Sequence, residues 1–118
     1  MTANIADLLR KLQDSANEKF AVIYHTRKGV VGQIIAEGDH EKVWFNAGDI
    51  LEQAARIGAT MISVAHNHPT GPVRPSQNDL ETTFNLQDLF KVRGLKLHDH
   101  VIVGKEGAPY SMLKNGVI

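Results

Sequence analysis

The stretch Met61-Ile62-Ser63-Val64-Ala65-His66-Asn67-His68-Pro69-Thr70-Gly71 decides how the rest of the chain is read. Residues 61–65 form a short, nearly continuous apolar run, the pattern of a buried strand, and turn residues follow at once. Side chains two apart on a strand share a face, so His66 and His68 leave the strand end on the same side and both imidazoles reach a common point. Pro69, Gly71, Pro72 and Pro75 carry the chain round to Ser76. Ser76-x-x-Asp79 has the spacing of a helix N-terminus, with the carboxylate in the first turn, where the helix dipole keeps it ionised. The whole frame is H-x-H-x7-S-x2-D. Strand end and helix start thus converge on one place.

Two neutral imidazoles and one carboxylate suit Zn²⁺, and three protein ligands leave a fourth tetrahedral position to a water that the metal makes nucleophilic near neutral pH. One zinc ion per chain, held by His66, His68 and Asp79, is the expectation. There is a plainer account of the same residues. A histidine near a strand end is often just a satisfied polar group, and Ser76 with Asp79 resembles a capping box with Asp in place of Glu. The two accounts are compatible, because a cap would aim Asp79 at the site.

Outward from this stretch, residues 3–16 place Ile5, Leu8, Leu9 and Leu12 at helical spacing, with Thr2 or Asn4 as cap. Residues 20–24 read as a short apolar strand, residues 26–29 as a turn, and residues 30–37 as a second strand of a β-hairpin. Gly38 and Asp39 break it, and Val43-Trp44-Phe45 fits a third strand or a short extended segment. Residues 46–57 have a capping Asn46, Asp49 in the first turn and Gly58 at the end, which predicts a helix. A strand over 60–65, a long helix over 76–92 stopped by Gly94, and strands over 95–103 and 110–113 complete the chain. Helices between strands of mixed connection imply an α/β domain, three-layered or with helices on a sheet. At 118 residues it is one domain, spanning 1–118.

Composition narrows the function. Net charge is zero, with 13 basic and 13 acidic residues and no basic cluster, which argues against a dedicated nucleic-acid surface. No cysteine is present. Disulfides, thiolate metal sites and thiol nucleophiles are therefore excluded, and a reducing compartment fits. No apolar run is long enough for a membrane span or signal peptide, so a cytoplasmic protein is the expectation.

With the loop and its flanks in view, the chain resembles the RadC-type JAB domains, a bacterial branch of the JAMM (MPN+) zinc metalloproteases. The resemblance covers nearly the whole chain. It rests on residues 66–71, on Pro75-Ser76 with Asp79, on Leu97-His98-Asp99-His100 running into Gly104, and on the closing segment from Tyr110-Ser111 to Gly116. Thr70 stands where such chains usually carry Ser, and Tyr24-His25-Thr26 where they tend to carry Leu-Asp. The resemblance implies a JAB/MPN (cytidine-deaminase-like) fold, a mixed β-sheet flanked by helices, and it implies an enzyme. His66, His68 and Asp79 would be its zinc ligands and Ser76 a donor to the tetrahedral oxyanion. Glu18, two residues ahead of the aromatic Phe20, would be the general base and later general acid; Glu37 is the fallback. Glutamate's ordinary pKa of about 4.3 leaves such a base ionised at neutral pH.

The reaction so implied is hydrolysis of an amide bond in a protein or peptide substrate, with ubiquitin-like proteins among the candidates because relatives of this class act on them. The oligomeric state is not legible. The competing reading is a non-catalytic or DNA-repair-associated binding module. An HNH nuclease spreads its His and Asn through a ββα module and does not place them consecutively, and a zinc nucleobase deaminase needs cysteine ligands this chain lacks. Asn67 faces away from the histidines and is expected to order the loop. His98 and His100 alternate on a strand, and one of them is a candidate to stand behind the metal ligands, although a structural role is the plainer account. His25 and His40 are read as surface residues near turns.

Overall fold

The computed structural model describes residues 1–38 and 45–118. The chain runs α1 (Ile5–Asp14), β1 (Glu18–Thr26), β2 (Gly29–Gly38), α2 (Ala47–Ile57), β3 (Met61–Asn67), α3 (Gln77–Val92), β4 (Lys96–Val103) and β5 (Tyr110–Ser111). The five strands form one mixed sheet in the order β2-β1-β3-β4-β5. Among the described residues only β3 and β4 are parallel, and α3 is the crossover between them, as a parallel pair requires.

Alternation along β1 sorts the core into two layers. Phe20, Val22 and Tyr24 point to one face and pack with Ile62 and Val64 of β3 against Ile50, Leu51 and Ala54 of α2 and Leu86 and Phe90 of α3. Ala21 and Ile23 point to the other face and meet Leu8 and Leu12 of α1. The domain is therefore an α/β/α sandwich, a mixed sheet with helices on both faces. The small side of the sheet is made for a close helix. A Cβ on Gly32 would lie 2.5 Å from Leu8 Cδ2, so glycine at that place in β2 lets α1 settle onto the strands.

The ends of the elements follow their caps. Asn4, not Thr2, caps α1 by accepting from the Asp7 N–H; Thr2 instead forms a β-bridge to Gly32. Asn46 caps α2, and Gly58 ends it in the left-handed region at φ 73°, where an L side chain would be strained. Two strands differ from the sequence expectation. The first strand is longer at both ends because Glu18 and Lys19 pair with Gly38 and Glu37 of β2, and His25 and Thr26 with its Val30 and Gly29. The last strand stops at Ser111, since the chain turns there and Met112 N–H bonds back to the His100 carbonyl. The extended segment expected at 43–45 lies outside the described residues except for Phe45.

The connectivity brings three ends to one edge of the sheet. The carboxyl end of β3 and the N-terminus of α3 meet there, as they do at the ligand-binding edge of open α/β sheets. Because β1 runs antiparallel to β3, its first residue, Glu18, arrives at the same edge.

Candidate metal centre

Phe20 is the β1 partner of His66, and Glu18 lies two residues earlier on the same face, so the sheet register itself carries Glu18 to the level of His68. His66 is buried and His68 partly so. Their Nε2 atoms are 3.1 Å apart. Asp79 closes the group, with Oδ1 3.1 Å from His66 Nε2 and Oδ2 3.0 Å from His68 Nε2. Glu18 belongs to the cluster too: a carboxylate oxygen and one nitrogen from each histidine all lie within 4.8 Å of one another. The sequence-predicted ligands and the predicted base are thus brought together, and the cluster is of a kind that holds a metal ion.

The outer contacts fit that use. His68 Nδ1 is 2.9 Å from the Pro72 carbonyl and His66 Nδ1 is 2.8 Å from His100 Nε2, so each ring is held by Nδ1 while its Nε2 faces the shared space. Zn–N bonds of about 2.0–2.1 Å in a tetrahedron place ligand atoms about 3.3–3.4 Å apart, close to the separations found here.

Asp79 is aimed by a complete capping box. Ser76 Oγ accepts from the Asp79 N–H at 3.0 Å, and Asp79 Oδ2 accepts from the Ser76 N–H at 2.9 Å. Partial burial raises the Asp79 carboxyl, but the hydrogen bonds it accepts from His68 and from the Ser76 amide outweigh it and hold it well below the usual carboxylate range. The same carboxylate, accepting from His68, raises that imidazole above its ordinary value against the opposing effect of burial. Without a metal, His68 and Asp79 therefore each favour the charged form of the other.

The loop between the histidines and α3 is tied to β4. His68 N–H donates to the Val103 carbonyl at 2.9 Å, and a Cβ on Gly104 would lie 2.7 Å from Val73 Cγ1. On the far side of the strand, Asn67 is 1% exposed. Its Oδ1 accepts from the Lys19 N–H at 2.7 Å, and its Nδ2 donates to the Asn17 carbonyl at 2.9 Å. It faces away from the histidines as expected, yet what it orders is the segment carrying Glu18 and not its own loop.

Beside the cluster, a cleft runs between an aromatic wall of Phe20 and Phe45, stacked at 4.4 Å, and the first turns of α3 at Asn78 and Thr82. Glu18, His66 and Asp79 line it as well.

Other histidines separate. A register irregularity between β3 and β4 passes over His98, since Ile62 pairs with Leu97 and Ser63 with Asp99. His98 therefore meets His25 on the opposite face, while His100 is buried behind His66. His25 is half-buried on β1 and bonds Ser63 Oγ at 3.0 Å, so it is not a free turn residue; burial and then the neighbouring His98 lower its pKa. Glu37, the fallback base, pairs with Lys19 in the ladder, and its carboxylate lies 3.5 Å from Lys19 Nζ. It stands on the strand face opposite Glu18. Thr83 and Phe45 had not been singled out. Thr83 carried a signal, being four residues after Asp79 and so on the same helix face; Phe45 carried none.

The fold and this cluster define a JAB-type α/β domain. The family model for the RadC-like JAB domain matches residues 2–117, and the chain belongs to that family. Similar proteins include a UPF0758 protein of Carboxydothermus hydrogenoformans, 34% identical over 97 residues that make up 80% of this chain and 43% of that protein. Another, from Staphylococcus haemolyticus, is 31% identical over 84% of this chain and 44% of its own length. A third, from Cyanothece sp., is 41% identical over 75% of this chain and 37% of its own. The chain thus spans less than half the length of these curated relatives. Among the described residues no helix is long and apolar enough to cross a membrane.

Proposed function

We propose that this domain is a zinc-dependent metallopeptidase or isopeptidase that hydrolyses an amide bond in a protein or peptide substrate, with ubiquitin-like proteins as candidate partners. The observation that carries the proposal is the convergence of His66, His68 and Asp79 within 3.1 Å of one another with Glu18 beside them. Zinc held by those three groups supplies a Lewis acid for a carbonyl and a water that is nucleophilic near neutral pH. Glu18 takes the proton of the attacking water and returns it to the leaving amine. Ser76 Oγ already accepts from the Asp79 amide, which leaves its own hydroxyl proton to donate where negative charge develops on the substrate oxygen. The aromatic wall of Phe20 and Phe45 excludes water from one side of the cleft, and Asn78 and Thr82 offer hydrogen bonds to an extended backbone on the other.

Elemental mass spectrometry of the purified protein beside a His68→Ala control tests the metal. About one zinc per chain, lost in the control, supports the proposal. Cleavage of ubiquitin-like fusions is then assayed with Glu18→Gln, which should keep its zinc and lose turnover; unaltered turnover would remove Glu18 from its role. A protein that takes up no Zn²⁺ would leave a binding module whose histidines serve structure.

A further inference from the structure

Behind the candidate ligands runs a closed chain of hydrogen bonds that starts at one of them and ends on the backbone of another. It passes from His66 Nδ1 to His100 Nε2 at 2.8 Å, from His100 Nδ1 to Thr83 Oγ1 at 2.6 Å, and from Thr83 Oγ1 to the Asp79 carbonyl at 2.7 Å. We infer that His100 and Thr83 are positioning residues, which fix His66 as the tautomer protonated on Nδ1 and so present its bare Nε2 to the metal. This inference rests on the zinc reading above.

The direction of the chain follows from its buried end. Thr83 is fully buried, and two oxygens 2.7 Å apart need a proton between them. The carbonyl has none, so the Thr83 hydroxyl donates to Asp79. Thr83 Oγ1 can then only accept from His100, which places the His100 proton on Nδ1. The His100 ring is 1% exposed, and its two nitrogens meet Thr83 Oγ1 and His66 Nδ1, neither of them a carboxylate, so a second proton would be a buried charge without a counter-ion and its Nε2 is a lone pair. That lone pair accepts from His66 Nδ1. Of the two imidazoles facing Asp79, it is therefore His68 that donates to the carboxylate. The bare His66 Nε2 stands 3.1 Å from Asp79 Oδ1, two lone pairs opposed, a repulsion that a bound cation removes. The opposite polarity would put a proton on His66 Nε2, in the place of the metal, and would leave the Thr83–Asp79 oxygen pair without one. Because the chain closes on the Asp79 backbone, it also ties the first turn of α3 to the sheet, so that His66 and Asp79 move as one unit.

Two measurements decide it. Long-range ¹H–¹⁵N correlation spectra of the metal-free wild type read the tautomers directly: protonated Nδ1 on both His66 and His100 is expected, and a proton on His66 Nε2 would overturn the inference whatever the protein's metal content. Zinc affinity, read by competition with a chromophoric chelator, should fall about 10- to 100-fold in Thr83→Val and return to within about threefold of wild type in Thr83→Ser. A Thr83→Val protein that stays folded and binds zinc as tightly as wild type would also overturn it. A wild type that takes up no zinc sinks the proposed function instead, and the nitrogen shifts still decide the polarity.

Discussion

Asn67 sits between two histidines that point the other way, and its amide does the work of a missing stretch of sheet. Beyond Phe20, the β1–β3 backbone ladder ends, and the Asn67 side chain takes the Lys19 N–H and the Asn17 carbonyl in its place. Both of its contacts flank Glu18. Asn67→Ala should destabilise the domain by about 2 kcal/mol or more, since buried groups left without partners cost about 1–3 kcal/mol each. Urea unfolding measures that loss, and faster hydrogen exchange at the Lys19 amide locates it. Zinc content should be unchanged while turnover falls. His100 makes a second prediction at this scale. Its folded pKa is depressed to about 3, so the stability it contributes is present above the unfolded value of about 6.5 and drains away as pH falls toward 3. For the metal-free protein the unfolding free energy should drop by on the order of 3 kcal/mol between pH 6.5 and 4. His25, also depressed, acts in the same direction. Urea titrations at pH 6.5, 5.5, 4.5 and 4.0 read the slope, and a flat profile would mean that His100 titrates freely.

The elements explain which parts of the site could be read from residues alone. His66, His68, Ser76 and Asp79 were legible because each lies within a few residues of a local signal: strand alternation, a Pro/Gly turn, a helix cap. Glu18 was not, since what brings it there is the antiparallel register of β1 on β3, and its place came from the family resemblance. His98 and His100 were ambiguous for a physical reason. A regular strand would turn both to one face, and only the irregularity opposite Ile62 and Ser63 separates them. The loop of residues 68–75 presents a testable case of its own. Gly104 follows β4, and the space a side chain would need there is filled by Val73. Gly104→Ala should therefore push the loop off the strand end and cost about 1–3 kcal/mol, as overpacking does. Thermal unfolding detects the loss, and weaker zinc binding should accompany it, because His68 is the residue that hangs on this loop through the Val103 carbonyl.

At the scale of the molecule, the candidate ligands come from separate parts of the chain: His66 from β3, His68 from the loop after it and Asp79 from the first turn of α3. An unfolded chain holds no such set, so on the proposed function zinc binding would be coupled to folding, and a free zinc concentration of 100 times the dissociation constant should raise the unfolding free energy by about 2.7 kcal/mol. The effect must depend on pH. In the metal-free protein the Asp79 carboxylate raises the His68 imidazole above its ordinary value of about 6.5, and zinc has to displace that proton to reach Nε2. Above the raised pKa there is nothing to displace and the zinc increment is constant. Below it each unit of pH should weaken zinc binding by up to tenfold, about 1.4 kcal/mol. Thermal unfolding with and without buffered zinc from pH 8 to 5.5 follows the increment directly. It should shrink steadily through the lower half of that range and be absent at every pH in His68→Ala; an increment independent of pH would show that the ion binds elsewhere than at His68.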